Sequence, residues 1–198
     1  MARRASAPRG SGRPRDDALT RAILAAMLDL VARHGFRDAR IEDAAVRVGT
    51  SKQAIYRRWP DKSVLVAEAV RAALAGANPA VPDSGRLRDD LVALLSNTIG
   101  ALTKTPLGGA LAALVGETRD AALVACLRDV ERDRRETIRA VLKQGQRRGE
   151  LSAGRDIEID IDLLLGAVYF RLLVRRVGVS ASLATKIVAA WLPREAAP

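Results

Sequence analysis

Apolar residues recur every three or four positions along most of the chain, which is the spacing of one buried face of an α-helix. Gly35, Gly49 and Pro60 interrupt this pattern at points where a helix would end. No stretch alternates in the manner of a strand, and no internal repeat is evident. We therefore expect an all-α fold of about nine helices, over approximately these ranges: 16–33, 40–48, 52–59, 62–74, 87–102, 106–115, 121–145, 157–177 and 180–192.

The segment 78–85 divides the helical pattern into two parts. It carries Pro79, Pro82 and Gly85, residues that favour a linker over a helix. We expect one domain over 16–77 and a second over 84–192. Short segments, 1–15 and 193–198, flank the two.

Helix 157–177 is apolar nearly all the way round, so it must be covered on every side. Together with the last helix, it needs more covering than one small subunit offers. This predicts a two-fold symmetric homodimer. The expected interface residues lie on these two helices: Leu163, Gly166, Phe170, Val174, Ile187 and Trp191.

The net charge of the chain indicates what kind of partner it binds. Lys and Arg outnumber Asp and Glu by 33 to 23, which gives a formal net charge of +10. Such a balance suits a polyanion, and nucleic acid is favoured over an anionic membrane surface. No apolar run approaches the roughly 20 residues that span a bilayer, and no signal-peptide core follows the Arg-rich start. We expect a cytoplasmic protein that does not associate with membranes.

Residues 1–15 mix Ala, Arg, Ser, Gly and Pro without periodicity, which predicts a flexible basic arm. Its arginines would neutralise phosphates if DNA lay nearby. A solvated tail that aids solubility explains the same composition. Both interpretations remain open.

Catalysis and metal binding find no support in the residue pattern. Cys126 and His34 are single residues of their types, which disfavours a protein-built zinc site. Most carboxylates of 117–133 alternate with Arg in the manner of an exposed, ion-paired helix face. There is no phosphate-binding glycine loop and no nucleophile elbow. We expect no catalytic residue and no cofactor. A nucleoid-type architectural protein would explain the charge but not the apolar C-terminal half.

Two short helices that meet at Gly49 form the most informative stretch, 41–62. This arrangement is typical of a helix-turn-helix, whose second helix enters the major groove of DNA and meets base edges with its first turn. Lys52 and Gln53 occupy that turn and are the candidates for base readout, since Gln can pair with adenine and Lys with guanine acceptors. Thr50 and Ser51 can reach a phosphate or a thymine methyl.

Further residues of this stretch are candidates for the DNA backbone. Tyr56 and Arg57 lie later on the second helix, where phosphates are the nearer target. Lys62 and Arg40 begin the flanking helices, and we expect each to contact a phosphate. Packing in the core is the alternative for Tyr56, and it is the preferred role for Trp59.

The stretch HGFRDARIEDAAVRVGTSKQAIYRRWPDKSVL resembles the N-terminal signature of the tetracycline-repressor (TetR) family. The preceding helix has the matching length and pattern, and the domain that resembles the family, 16–77, covers about a third of the chain. The later segments GALAALVGE, RRGEL and IDLLLGAVYFRLLV are similar to the regulatory half of many members. Two positions depart from the family pattern, Arg40 where Thr is frequent and Thr50 where Val is usual. Both departures weaken the transfer of capping and phosphate roles to these positions.

The resemblance implies a transcriptional repressor that binds a palindromic operator as a homodimer and is released by a small, largely apolar effector. It also implies that the last two helices form a four-helix bundle with the partner, and that the other C-terminal helices hold the effector. The candidate pocket residues are Leu94, Thr98, Leu111, Leu114, Leu127 and Tyr169. Ordinary core packing is the alternative for each of them.

Overall fold

The computed structural model describes residues 13–117, 119–180 and 182–192. Over these residues the chain forms nine α-helices and no strand, which confirms the predicted all-α class. A π-helical turn, Phe170–Val174, extends the eighth helix. The helices are α1 (Arg13–Asp38), α2 (Ile41–Arg47), α3 (Lys52–Tyr56), α4 (Lys62–Ala77), α5 (Leu87–Lys104), α6 (Leu107–Leu114), α7 (Ala121–Arg147), α8 (Ile157–Tyr169) and α9 (Ser182–Trp191).

Most helix boundaries lie within a few residues of the predicted ones, and three differences affect the description below. α1 begins at Arg13, so the last three residues of the predicted arm are helical, and residues 1–12 and 193–198 lie outside the described part. α3 ends at Tyr56, because the amides of Arg58 and Trp59 both turn back onto the carbonyl of Ile55. The single helix predicted over 157–177 is α8 followed by the π-helical turn.

Short polar side chains begin several of these helices. The Ser51 hydroxyl accepts a hydrogen bond from the Ala54 amide at 3.1 Å, and the Asp61 carboxylate accepts one from the Val64 amide at 2.9 Å. Each bond satisfies a backbone donor that the first turn of a helix leaves unpaired. Together these two N-caps set the starts of α3 and α4.

The N-terminal helices and the C-terminal helices share one continuous core. α4 packs against α1 on one side and α7 on the other, while α6 packs closely against α1. Gly109 makes that close approach possible, because a Cβ atom there would lie 3.3 Å from the Cβ of Ala32. The end of α1 is therefore held directly by the C-terminal half. None of the helices in the described ranges combines the length and apolarity that crossing a membrane requires.

Candidate functional site

The turn between α2 and α3 has the geometry expected of a helix-turn-helix. Gly49 has a φ of 67°, a left-handed conformation that suits glycine. The amides of Gly49 and Thr50 donate to the carbonyls of Val46 and Ala45, which closes the end of α2. Since Ser51 caps α3 immediately afterwards, the two helices meet across a short turn in which the Gly49 and Thr50 amides are both hydrogen-bonded.

Two buried residues fix the orientation of α3. Ile55 is fully buried, and Trp59 is only 3% exposed. The Trp59 indole donates a hydrogen bond to the Glu68 carboxylate of α4 at 2.8 Å. The prediction that Trp59 packs in the core is confirmed, and α3 can present only its opposite face to a partner.

That opposite face carries an amide, a phenol and two cations. Lys52, Gln53, Tyr56 and Arg57 are all exposed, and their spacing along α3 places them on one side of the helix. Tyr56 is 40% exposed, so its ring is not a core residue. One accessible surface, which we call the α3 face, therefore carries Lys52 and Gln53, predicted for base readout, and Tyr56 and Arg57, predicted for phosphate contacts.

Lys52 is already paired within the subunit. Its ammonium forms an ion pair with Glu42 of α2 and lies 5.6 Å from the centre of the Tyr56 ring. The hydrogen bond and charge of Glu42 raise the pKa of Lys52. Because both side chains of the pair are about half exposed, a competing acceptor can displace Glu42 at low cost.

The remaining turn residues have the following positions. Thr50 is half-buried, and Ser51 is exposed although its hydroxyl serves as the cap of α3. Arg40 is exposed and is the N-cap residue of α2, but its side chain makes no capping bond. Asp38 does not cap α2 either. The exposed Arg40 side chain is therefore not committed to the end of the helix.

Lys62 requires a correction, because its side chain turns inward rather than towards the α3 face. The Lys62 Nζ atom donates to the carbonyls of Phe36, Arg37 and Ala39 at 2.7, 3.1 and 3.3 Å. Three acceptors require the three N–H groups of the protonated amine. It also lies 4.4 Å from the centre of the Phe36 ring. Lys62 therefore closes the C-terminal end of α1 and has no N–H left for the phosphate contact that the sequence predicts.

The surroundings of Lys62 form a junction between the two halves of the chain. Burial lowers the pKa of Lys62, and the nearby carboxylates of Asp120, Asp38 and Glu117 oppose this effect. Arg37 pairs with Glu117 at 3.2 Å, so the end of α1 is tied to the segment that follows α6. We call this group the α1–α4 junction. It connects the base of the helix-turn-helix to the start of α7.

An apolar stripe runs along the outer side of α8. Its large members are Ile159, Leu163, Phe170 and Val174, which are 54%, 57%, 55% and 67% exposed. Gly166 lies between them and is exposed as well. Four of the six residues predicted for a subunit interface thus lie on one accessible surface, which we call the α8 stripe.

The other two predicted interface residues face their own subunit, and we remove them from the predicted interface. Ile187 is 9% exposed and belongs to the core. The Trp191 indole donates to Asp160 at 2.8 Å, and its ring lies under the Arg155 guanidinium, 4.6 Å away. α9 packs against α5 and α8 of its own subunit, and its buried residues are Ala184, Ile187 and Val188.

Two adjoining cavities lie where α4 meets the C-terminal helices. The larger, of about 530 Å³, is lined mainly by apolar side chains and includes the predicted residues Leu111, Leu114, Leu127 and Tyr169. The smaller, of about 100 Å³, includes the predicted residues Leu94 and Thr98. All six predicted pocket residues therefore line a cavity, although they divide between two.

Sequence reasoning missed the charged residue that lines both cavities. Arg134 of α7 lines both, and its guanidinium donates a hydrogen bond to the hydroxyl of Tyr169. In the sequence Arg134 follows the alternating charges of α7, and that pattern does not distinguish it from an exposed arginine. Its place four residues after Val130, a core position, is the signal that could have identified it.

Comparisons with known proteins agree with this geometry. The sequence model of the bacterial regulatory proteins of the tetR family matches residues 23–69, and the model of a tetracyclin repressor-like C-terminal domain matches residues 81–191. The uncharacterised HTH-type transcriptional regulator YdeS of Bacillus subtilis is 33% identical over 165 residues, which are 82% of each chain. The regulator Rv1556 of Mycobacterium tuberculosis is 33% identical over 157 residues, 77% of this chain and 75% of that one.

Solved structures show the same architecture. The TetR family transcription regulator SCO0332 superimposes with a TM-score of 0.70 at 30% identity, covering 90% of this chain and 99% of that one. A transcriptional regulator from a Rhodococcus species superimposes with a TM-score of 0.72 at 22% identity, covering 88% and 96% of the two chains. The second likeness shows the fold alone.

Proposed function

Because the chain belongs to the TetR family and is a DNA-binding transcriptional regulator, we propose that it acts as a repressor that binds a palindromic operator as a homodimer. We further propose that a small, largely apolar effector releases it from DNA. The observation that supports DNA reading most directly is the α3 face. It places Lys52, Gln53, Tyr56 and Arg57 on one exposed side of a helix that Ile55 and Trp59 anchor to the core.

The chemistry of the α3 face suits the major groove. Gln53 offers a donor and an acceptor in one plane, which matches the edge of adenine. Lys52 can exchange Glu42 for a guanine acceptor, since the ion pair is exposed. Tyr56 and Arg57 follow one turn later and can bind the flanking phosphates. Arg40 and the turn residues Thr50 and Ser51 complete the proposed contact surface.

The α8 stripe supports the proposal of a dimer. Four large apolar side chains that are each more than half exposed are an unfavourable surface for a monomer in water. Pairing of two identical stripes about a two-fold axis would cover them. The same symmetry would present two copies of the α3 face, which accounts for the expected palindrome.

Selection of bound fragments from a random DNA library tests the proposal. We expect enrichment of a two-fold symmetric sequence whose half-sites are one helical turn or a multiple apart. A repressor should also lower expression from a reporter promoter that carries this sequence. Equal recovery of all sequences would instead favour an architectural DNA-coating protein.

Gln53→Ala should relax base preference at one position of each half-site. The alanine variant loses the proposed pairing with adenine, at a cost of about 1 to 3 kcal/mol per half-site for the preferred base. Titration of labelled operators that differ at single positions measures this. Asn97→Ala, which removes an exposed amide of α5 far from the α3 face, is the control. If Gln53→Ala weakens binding to all bases equally, Gln53 contacts the backbone and does not read sequence.

A further inference from the structure

The larger cavity combines an apolar body with a single uncompensated cation. Its walls come from α4, α6, α7 and α8, and most of its lining is aliphatic. Its volume of about 530 Å³ lies in the range of small-molecule sites. The representative apolar lining residues are Val70, Leu74, Leu111, Leu114, Leu127 and Leu165.

The acidic residues on the wall of this cavity are already neutralised. Arg135 pairs with Asp162 at 2.7 Å and with Glu131 at 3.2 Å, and it also binds Glu158 at 2.9 Å. These contacts raise the pKa of Arg135, so its charge is permanent. Asp162 and Glu131 therefore offer little attraction to a cationic ligand.

The charge of Arg134, in contrast, is not neutralised by a carboxylate within the described ranges. Within the described ranges, no Asp or Glu oxygen lies within ion-pairing distance of its guanidinium, and its hydrogen-bond partner there is the Tyr169 hydroxyl. The guanidinium also lies 4.5 Å from the centre of the Tyr169 ring. Both side chains are half-buried. A half-buried arginine that faces a cavity without a carboxylate partner favours an anion in that cavity.

Tyr169 adds a second donor at the same point. Burial raises the pKa of Tyr169 and Arg134 opposes this effect, so the hydroxyl keeps its proton at neutral pH. The hydroxyl oxygen accepts from Arg134, which leaves the O–H proton free for another acceptor. The remaining N–H groups of Arg134 and the O–H of Tyr169 can therefore bind two oxygens of one carboxylate.

We propose that the effector is an amphipathic monoanion whose carboxylate binds Arg134 and Tyr169 while its apolar body fills the larger cavity. This inference rests on the proposed function, because it assumes that the cavity is the effector site. The smaller cavity shares Arg134 with the larger one and contains further polar groups, since Asn78 donates to Thr98 at 3.1 Å there. Its carboxylate, Asp133, is paired with Arg71 at 2.9 Å.

Calorimetric titration of the full chain with matched ligands tests the inference. Decanoate, 1-decanol and decylammonium share one skeleton, and 1-naphthoate with 1-naphthalenemethanol provides a second, aromatic one. We expect each carboxylate to bind at least about tenfold more tightly than the alcohol of its skeleton, as hydrogen bonds to a charged group allow. Decylammonium should bind most weakly, because Arg134 repels it.

Variants of Arg134 and Tyr169 test whether these two residues cause the preference for carboxylates. Arg134→Met keeps the apolar stem and should reduce carboxylate affinity to that of the alcohol, while alcohol affinity changes less than about twofold. Tyr169→Phe keeps the ring and should lose part of the preference. Arg128→Met, an exposed arginine of α7 outside both cavities, is the matched control and should behave as wild type. Operator binding without ligand should be unchanged in all three variants, which shows that each is folded.

The outcomes separate this inference from the proposed function. Equal affinity for acid and alcohol, or a carboxylate preference that survives Arg134→Met, overturns the anion site but leaves an effector cavity in place. A chain that binds no compound of either skeleton overturns both the anion site and the effector cavity. Sequence-selective DNA binding that persists in that case would still support the repressor.

Discussion

Phe170→Glu is expected to convert a dimer into a monomer and to halve the mass of the protein in solution. Phe170 lies in the middle of the α8 stripe and is 55% exposed. Pairing two stripes would bury its ring at a two-fold interface, where two glutamates would be desolvated and would repel each other. Sedimentation velocity at micromolar concentration measures the mass directly.

Operator affinity should fall with the dimer. Two linked α3 faces bind a palindrome with an avidity that exceeds the affinity of one α3 face for one half-site by about 10²- to 10⁴-fold. Phe170→Glu should lose most of this gain, although the α3 face itself is unchanged. Val81→Glu, at a residue that is 39% exposed in the segment between α4 and α5, is the control and should remain dimeric. A monomeric wild type, or a Phe170→Glu variant that stays dimeric, would contradict the proposed interface.

Lys62→Met is expected to lower the stability of the folded protein. A side chain that only contacts DNA would instead affect DNA affinity alone. Methionine keeps an unbranched apolar side chain next to Phe36, but leaves the carbonyls of Phe36, Arg37 and Ala39 without their donor. Loss of hydrogen bonds from a charged group costs on the order of 3 kcal/mol here. For a chain of this length, that corresponds to a fall in the midpoint of thermal unfolding of about 6 to 12 °C.

Lys52→Met is the matched comparison. Lys52 is exposed, and its ion pair with Glu42 is of the solvent-exposed kind that contributes little to stability. We expect its thermal midpoint to match wild type while operator affinity drops. If Lys62→Met instead keeps its midpoint and flattens the salt dependence of DNA binding, Lys62 contacts phosphate and the α1–α4 junction does not depend on it.

Most of the fold could be predicted because burial imposes a local periodicity on each helix. Ser51 and Asp61 also begin helices through hydrogen bonds that reach only three residues ahead, so a short window of sequence contains all the information. The end of α3 was less predictable. This helix ends where the amides of Arg58 and Trp59 both bind the carbonyl of Ile55. The position of Trp59 depends in turn on its hydrogen bond to Glu68, which belongs to another helix.

Side-chain positions in the candidate site were predicted well where they depend on the exposed face of a helix. They were predicted poorly where they depend on a partner that is distant in the sequence. Gln53 and Arg57 lie on the α3 face because Ile55 must face the core, which the sequence shows. Lys62 turns inward because three carbonyls 23 to 26 residues earlier converge on it. The residues near Arg134 in the sequence do not show that it is half-buried, because its partner, Tyr169, is 35 residues away. A linear pattern of charges does not contain such long-range pairings.

The π-helical turn at Phe170–Val174 determines on which side of Phe170 the α8 stripe continues. Four residues of an α-helix overshoot a full turn by about 40°, which is also the step from Ile159 to Leu163 within the stripe. A π-helical turn holds more residues per turn, so its four residues fall short of a full circle and place Val174 on the opposite side of Phe170. In chimaeras with related regulators, the residues of this turn would have to be transferred together with the segment that follows it, since otherwise Val174 would change its side of the stripe.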